Sequence, residues 1–126
     1  MMNTYYVALF VGGGLGTLCR FWVSKSLSPY LVFPLGTLAS NILASLIMGF
    51  FLGYWAKAEG GVPYLLRLWV AVGFCGGFST FSAYSFEVFQ MLQQGRWGTA
   101  AVYVMMSTAF CVLSTALAWW IAQSVS

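Results

Sequence analysis

The sequence predicts an all-α membrane protein with four spanning helices, on three observations: an extreme apolar bias, four apolar runs of spanning length, and short polar joints between them. Of 126 residues, 61% are hydrophobic and only 6% charged. Water-soluble domains carry about a quarter charged residues, so the bilayer is the expected solvent. A spanning helix takes ~20 mostly apolar residues, and four of them with brief connections use the whole chain. Residues 1–126 therefore read as a single four-helix transmembrane domain with no room for a soluble one.

The first run, Tyr5 to Ser24, is longer than a signal-peptide apolar core and lacks both a preceding basic segment and a cleavage site, so it is expected to stay in the mature protein. A turn-rich piece from Lys25 to Pro34, with Ser26, Ser28 and Pro29, separates it from the second run, Leu35 to Trp55, which holds no charge at all. Lys57, Glu59, Gly60, Gly61 and Pro63 make a polar loop before the third run, Leu65 to Leu92. Gln93, Gln94, Gly95 and Arg96 lead into the fourth, Trp97 to Ile121. Trp55, Trp69, Trp97, Trp119 and Trp120 stand near run ends, the expected place of interfacial aromatic belts.

Lys and Arg in short loops set membrane orientation. Here Lys57 and Arg67 fall on the side of the termini and Lys25 and Arg96 on the other, with Arg20 just inside it. Such a balance predicts insertion in both orientations and pairing of opposed copies as an antiparallel homodimer. Four short helices alone also enclose little space for a pathway, which again favours two copies.

Five basic residues, two acidic ones and no histidine leave almost nothing to act as general acid, general base or metal ligand. An enzyme is not expected. Cys19, Cys75 and Cys111 are odd in number, lack CxxC spacing and lie within apolar runs, so they read as small buried hydrophobes. The net charge of +3 comes from scattered side chains that build no basic patch, so nucleic acid is not an expected partner, whereas membrane lipid is.

Three runs carry small or polar residues at four-residue spacing, hence along one helix face: Ala8, Gly12, Gly16, Arg20 and Ser24; Thr37, Asn41, Ser45, Gly49 and Gly53; Tyr103, Ser107, Cys111 and Thr115. The glycines read as packing sites that let backbones approach in lipid. Serine and threonine hydroxyls can bond back to their own helix. Asn41 has no such refuge, and an amide inside an uncharged span marks a pathway unless it meets a polar partner.

The third run reads Gly73-Phe74-Cys75-Gly76-Gly77-Phe78-Ser79-Thr80-Phe81-Ser82-Ala83-Tyr84-Ser85-Phe86 through its middle. A glycine pair followed by Ser-Thr predicts a helix broken near the bilayer midplane, with Ser79 or Thr80 capping a second half; the competing reading is a helix merely kinked there. Backbone freed at that depth needs partners within protein or a hydrated cavity, and carbonyls around Gly76 to Ser79 would suit a cation. Beyond the break, Phe78, Phe81 and Tyr84 form one row and Ser79, Ser82 and Ser85 another. Aromatic rows are usually core. Yet ring edges are positive, and edges beside hydroxyl donors suit an anion held firmly enough to enter and loosely enough to leave.

Gly76-Gly77-Phe78-Ser79-Thr80-Phe81-Ser82, Gly36-Thr37-Leu38-Ala39-Ser40-Asn41, and Gly12-Gly13-Gly14-Leu15-Gly16 followed by Arg20 together resemble the small fluoride channel family, Fluc or CrcB, over nearly the whole chain. The resemblance implies an antiparallel homodimer of the inner (plasma) membrane with two fluoride pores built from both copies around a central sodium ion. Carried onto this sequence, it implies carbonyls of Gly76 and Ser79 on the sodium, and Asn41, Phe81, Tyr84, Ser82 and Thr37 at the pore. Tyr103, Ser107 and Thr115 would line a polar track, with Arg20 near the entrance. Two positions depart from the pattern: Tyr84 replaces a phenylalanine, and Cys111 a hydroxyl residue of the track. Tyrosine keeps the ring edge, whereas cysteine is the weaker donor. Glu87, near the end of the run, is expected to reach the interface or pair with Arg96. The rival reading is a small dual-topology multidrug or guanidinium exporter, but that class uses a carboxylate in its first helix and no acidic residue lies between Met1 and Lys57. A non-conducting accessory subunit would account for the packing faces but not for the aromatic and hydroxyl rows.

Overall fold

The computed structural model describes residues 2–27 and 33–126. The turn expected around Ser28 and Pro29 lies outside the described residues. Helices α1 (Met2–Leu27), α2 (Leu35–Trp55) and α6 (Trp97–Val125) are single spans. The third span, Tyr64–Gln93, is composite: α3 (Tyr64–Arg67), a π-helical stretch (Leu68–Cys75), α4 (Gly76–Phe78), a break, and α5 (Phe81–Gln93). At ~1.5 Å per residue the 21 residues of α2 reach ~31 Å, matching a ~30 Å hydrocarbon core. α1 runs on through Lys25 to Leu27, past the expected end at Ser24, and places Lys25 in its last turn, where a cation opposes the helix dipole.

Local chemistry explains the joints. Pro34 and Pro63 precede α2 and α3, where a missing N–H costs nothing. α5 ends in a turn around Gly95, whose φ of 72° suits a residue without a Cβ. There the Arg96 N–H returns to the Met91 carbonyl at 2.8 Å and the Gly95 N–H to Leu92 at 3.1 Å, satisfying carbonyls the helix end would orphan.

Glycine faces bring the spans together. α2 packs most extensively on α6, and α1 on the π-helical stretch. A Cβ placed on Gly49 would stand 2.9 Å from the Thr115 Cα, and one on Gly12 would stand 2.6 Å from the Trp69 carbonyl oxygen, so both are backbone-to-backbone contacts. Gly16 meets the Phe74 carbonyl and the Phe78 nitrogen in the same way. These lines are packing surfaces, as their spacing predicts. A core of Leu38, Met91, Ala100 and Tyr103 joins α2, α5 and α6. Large apolar side chains point outward over all the spans, among them Phe10, Met105 and Trp120, as in a protein whose solvent is lipid. Of the expected aromatic belt, Trp97 and Trp120 are exposed, but Trp55 is buried within the bundle. The three cysteines are free thiols.

Candidate pore-lining site

The break falls one turn later than the glycine pair. Gly76 and Gly77 are helical, and the backbone turns extended at Ser79 (φ −80°, ψ 156°) and Thr80 (φ −147°, ψ 120°). Glycine serves a different end here: a Cβ on Gly77 would stand 3.0 Å from the Gly13 carbonyl carbon, so Gly77 is required by the close approach of α1, whereas a Cβ on Gly76 would meet nothing within 4 Å. Thr80 then caps α5, its hydroxyl accepting from the Ala83 N–H at 3.2 Å.

Freed backbone at this depth is answered group by group. Asn41 closes on Thr80 with both ends of its amide: Oδ1 accepts from the Thr80 N–H at 2.7 Å, and Nδ2 donates to the Thr80 carbonyl at 3.3 Å. An amide set against one residue in this way acts as a short piece of neighbouring strand. The Ser79 hydroxyl and the Ser79 N–H both donate to the Cys75 carbonyl, at 2.9 and 3.0 Å. Arg20 donates from Nε to the Gly77 carbonyl at 3.0 Å. The carbonyls of Gly76 and Ser79 are not among the acceptors of these contacts.

A cavity of about 310 Å³ opens beside the break, with Asn41, Ser79, Phe81, Tyr84, Ser107 and Cys111 in its wall, and Ser45, Thr80 and Thr108 completing it. Its aromatic row runs otherwise than the spacing suggests. Phe78 is buried against Phe74 and belongs to the packing of α4, because the extended residues at 79 and 80 interrupt the helical register. The row passes instead from Phe81 to Tyr84 (centroids 5.6 Å apart), across to Tyr103 on α6 (5.2 Å) and on to Phe33 (5.2 Å, 84° between planes). Phe81 is 79% exposed. Ser107 presents a buried hydroxyl without a protein partner, whereas Thr115 donates to the Cys111 carbonyl at 3.0 Å. Ser82 is exposed, its hydroxyl 3.3 Å from that of Thr80.

Thr37 and Tyr103 meet at a residue the sequence points elsewhere. Glu87 turns inward and accepts from the Thr37 hydroxyl through Oε1 and from the Tyr103 hydroxyl through Oε2, each at 2.6 Å. It neither reaches out to the interface nor pairs with Arg96. The contact joins α2, α5 and α6, and two donors on one carboxylate offset the cost of holding it within a span. Its signal in the sequence is the spacing to Tyr84 and Thr80 along α5, which places it on the inward face; its partners, 50 and 16 residues away, have no local signature. A second cavity of about 150 Å³ is lined by Ala44, Ser45, Met48, Cys75, Gly76, Ser79 and Thr115. Among the described residues, no cluster of three or more His, Cys, Asp or Glu stands together to hold a metal by side chains.

A family model described as CrcB-like protein, Camphor Resistance (CrcB), matches residues 7–119. The fluoride-specific ion channel FluC of Escherichia fergusonii is 38% identical over 117 residues, 91% of this chain and 91% of the relative. The protein of the same name from Escherichia coli O139:H28 is 37% identical over the same share of both chains. The match runs from the first span into the last and takes in Asn41 and the break that it holds, and on that extent the chain belongs to the CrcB family.

Proposed function

We propose that two copies of this chain, inserted antiparallel in the plasma (inner) membrane, form a passive channel that lets fluoride leave the cytoplasm. The observation that carries the reading is Phe81: a large ring, 79% exposed, beside a cavity with amide and hydroxyl groups in its wall, at the middle of a span. A wall of that kind is half a passage, and the opposed copy would supply the rest. Ring edges at Phe81 and Tyr84 offer positive potential, and the unpartnered Ser107 hydroxyl offers a donor. Such groups hold a partly dehydrated anion without a full charge to trap it. The relatives' printed name, fluoride-specific ion channel, supports fluoride as that anion.

Sodium fits the break. Gly76 and Ser79 both line the smaller cavity, their carbonyls are not used by the contacts that pin the chain, and hard oxygen dipoles without a side-chain charge suit a monovalent cation. When bound, the ion supplies a fixed positive charge at the centre of the dimer. The residues of the chain do the remainder: Asn41 and Thr80 fix the break, Phe81 and Tyr84 face the anion, and Ser107 offers the free hydroxyl of the polar track, the Tyr103 hydroxyl being engaged with Glu87 and that of Thr115 with the Cys111 carbonyl. Arg20, engaged with Gly77, acts on the break as well as on the field near the entrance.

Reconstitution in loaded liposomes tests the proposal. Fluoride should leave down its gradient with no proton gradient imposed, and replacing all sodium by a bulky organic cation should lower the flux. Efflux that requires a proton gradient would instead favour the exporter reading.

A further inference from the structure

Arg20 lies 5.5 residues beyond the midpoint of α1, Met2–Leu27, or ~8 Å at ~1.5 Å per residue. It is therefore well inside the hydrocarbon half-thickness of ~15 Å. A guanidinium at that depth is costly without an acceptor. Its acceptor is the Gly77 carbonyl, at 3.0 Å from Nε. Gly77 stands next to the last residue of α4, where carbonyls begin to lose their helical donors. The two N–H groups that follow the helix are directed elsewhere, Ser79 to Cys75 and Thr80 to Asn41, so neither reaches the Gly77 oxygen. The approach of α1 that makes the contact possible is itself built in: a Cβ on Gly16 would stand 2.7 Å from the Phe78 nitrogen.

We infer that Arg20 is a positioning residue, which fixes the end of α4, and with it the places of Ser79, Thr80 and Phe81, through the Nε hydrogen bond to Gly77 rather than through its charge. Asn41 grips the chain just after the break and Arg20 just before it, so the extended pair is held from α1 and α2 together. The consequence for flux rests on the channel reading above; the structural role does not.

Side-chain chemistry separates donor from charge. The Nε2 of glutamine stands as many bonds from Cα as the Nε of arginine, so Arg20→Gln keeps the donor and removes the charge. Arg20→Lys keeps the charge but places a methylene at that position, and Arg20→Met removes both. Hydrogen–deuterium exchange over residues 76–85 of the intact protein in micelles reads the break, and fluoride efflux from liposomes reads its consequence. Exchange in Arg20→Gln should stay within about threefold of the parent, whatever the loss of its charge near the entrance does to flux. In Arg20→Lys and Arg20→Met, exchange should rise and flux fall by about tenfold, the order for one lost hydrogen bond to a charged group. If Arg20→Lys does not fold, the contrast between Arg20→Gln and Arg20→Met decides. Parent-like exchange in Arg20→Met, or equal disturbance in Arg20→Gln and Arg20→Met, overturns the inference. The expected exchange pattern in a protein that moves no fluoride leaves the inference standing and removes the channel.

Discussion

Asn41 is an amide in a span without a single charge, and that anomaly is enough to single it out in the sequence. Its partner is not legible there, because Thr80 lies 39 residues away and only the fold brings them together. The contact changes what the residue is expected to do. With both amide ends engaged on the Thr80 backbone, Asn41→Ala removes two intramembrane hydrogen bonds of ~0.6–2 kcal/mol each and loosens the break. Fluoride flux should fall about tenfold, with faster amide exchange at Thr80 to Ala83; unchanged exchange with lost flux would make the amide a direct ligand of the anion. Tyr84 poses the complementary question, since its ring lines the cavity and its hydroxyl replaces a hydrogen. Tyr84→Phe should keep about half of the flux or more, because the ring edge survives, and Tyr84→Ile should lose most of it. Normal conduction in Tyr84→Ile would reduce the aromatic row to packing at this position.

Among the elements, the second run is legible to the residue, Leu35 to Trp55, because Pro34 stands directly before it and Lys57 two residues after it. The third run was harder to read. Its break is displaced from Gly76-Gly77 to Ser79-Thr80 because a glycine pair in sequence does not say whether it bends a helix or admits a neighbour, and here Gly77 admits α1. The π-helical stretch before it has no composition signature at all. Helix faces offer a graded test of the packing reading. Gly16→Ala drives a methyl into the Phe74 carbonyl and the Phe78 nitrogen, and Gly49→Ala into the backbone of Thr115, whereas Gly14→Ala meets nothing within 4 Å. The first two should lower stability by about 1–3 kcal/mol, read as a drop in melting temperature in micelles. Gly14→Ala should match the parent, and equal losses at all three would mean that the close approaches are not what these glycines serve.

For the whole molecule, length and apolar bias specify four spans, and the spans are found. What one chain leaves incomplete, on the channel reading, is its pathway: a cavity beside the break with amide and hydroxyl groups in its wall and Phe81 turned outward. Nothing in local sequence could give that geometry, since it depends on which way the residue after an extended pair faces. In the proposed antiparallel pair an opposed copy would close the pathway, and the near balance of Lys25 and Arg96 against Lys57 and Arg67 is the sequence feature on which that proposal rests. A single cysteine at Ser126, with Cys19, Cys75 and Cys111 replaced, should then be labelled by an impermeant reagent from both faces of the membrane; labelling from one face alone would contradict antiparallel pairing. The most direct measurement of the central claim is anion efflux from liposomes holding the purified protein, read with a fluoride electrode and repeated with chloride. A passage lined by ring edges and hydroxyls predicts rapid fluoride release and chloride retained at the rate of empty vesicles. Retention of fluoride, or release of both ions alike, would contradict it.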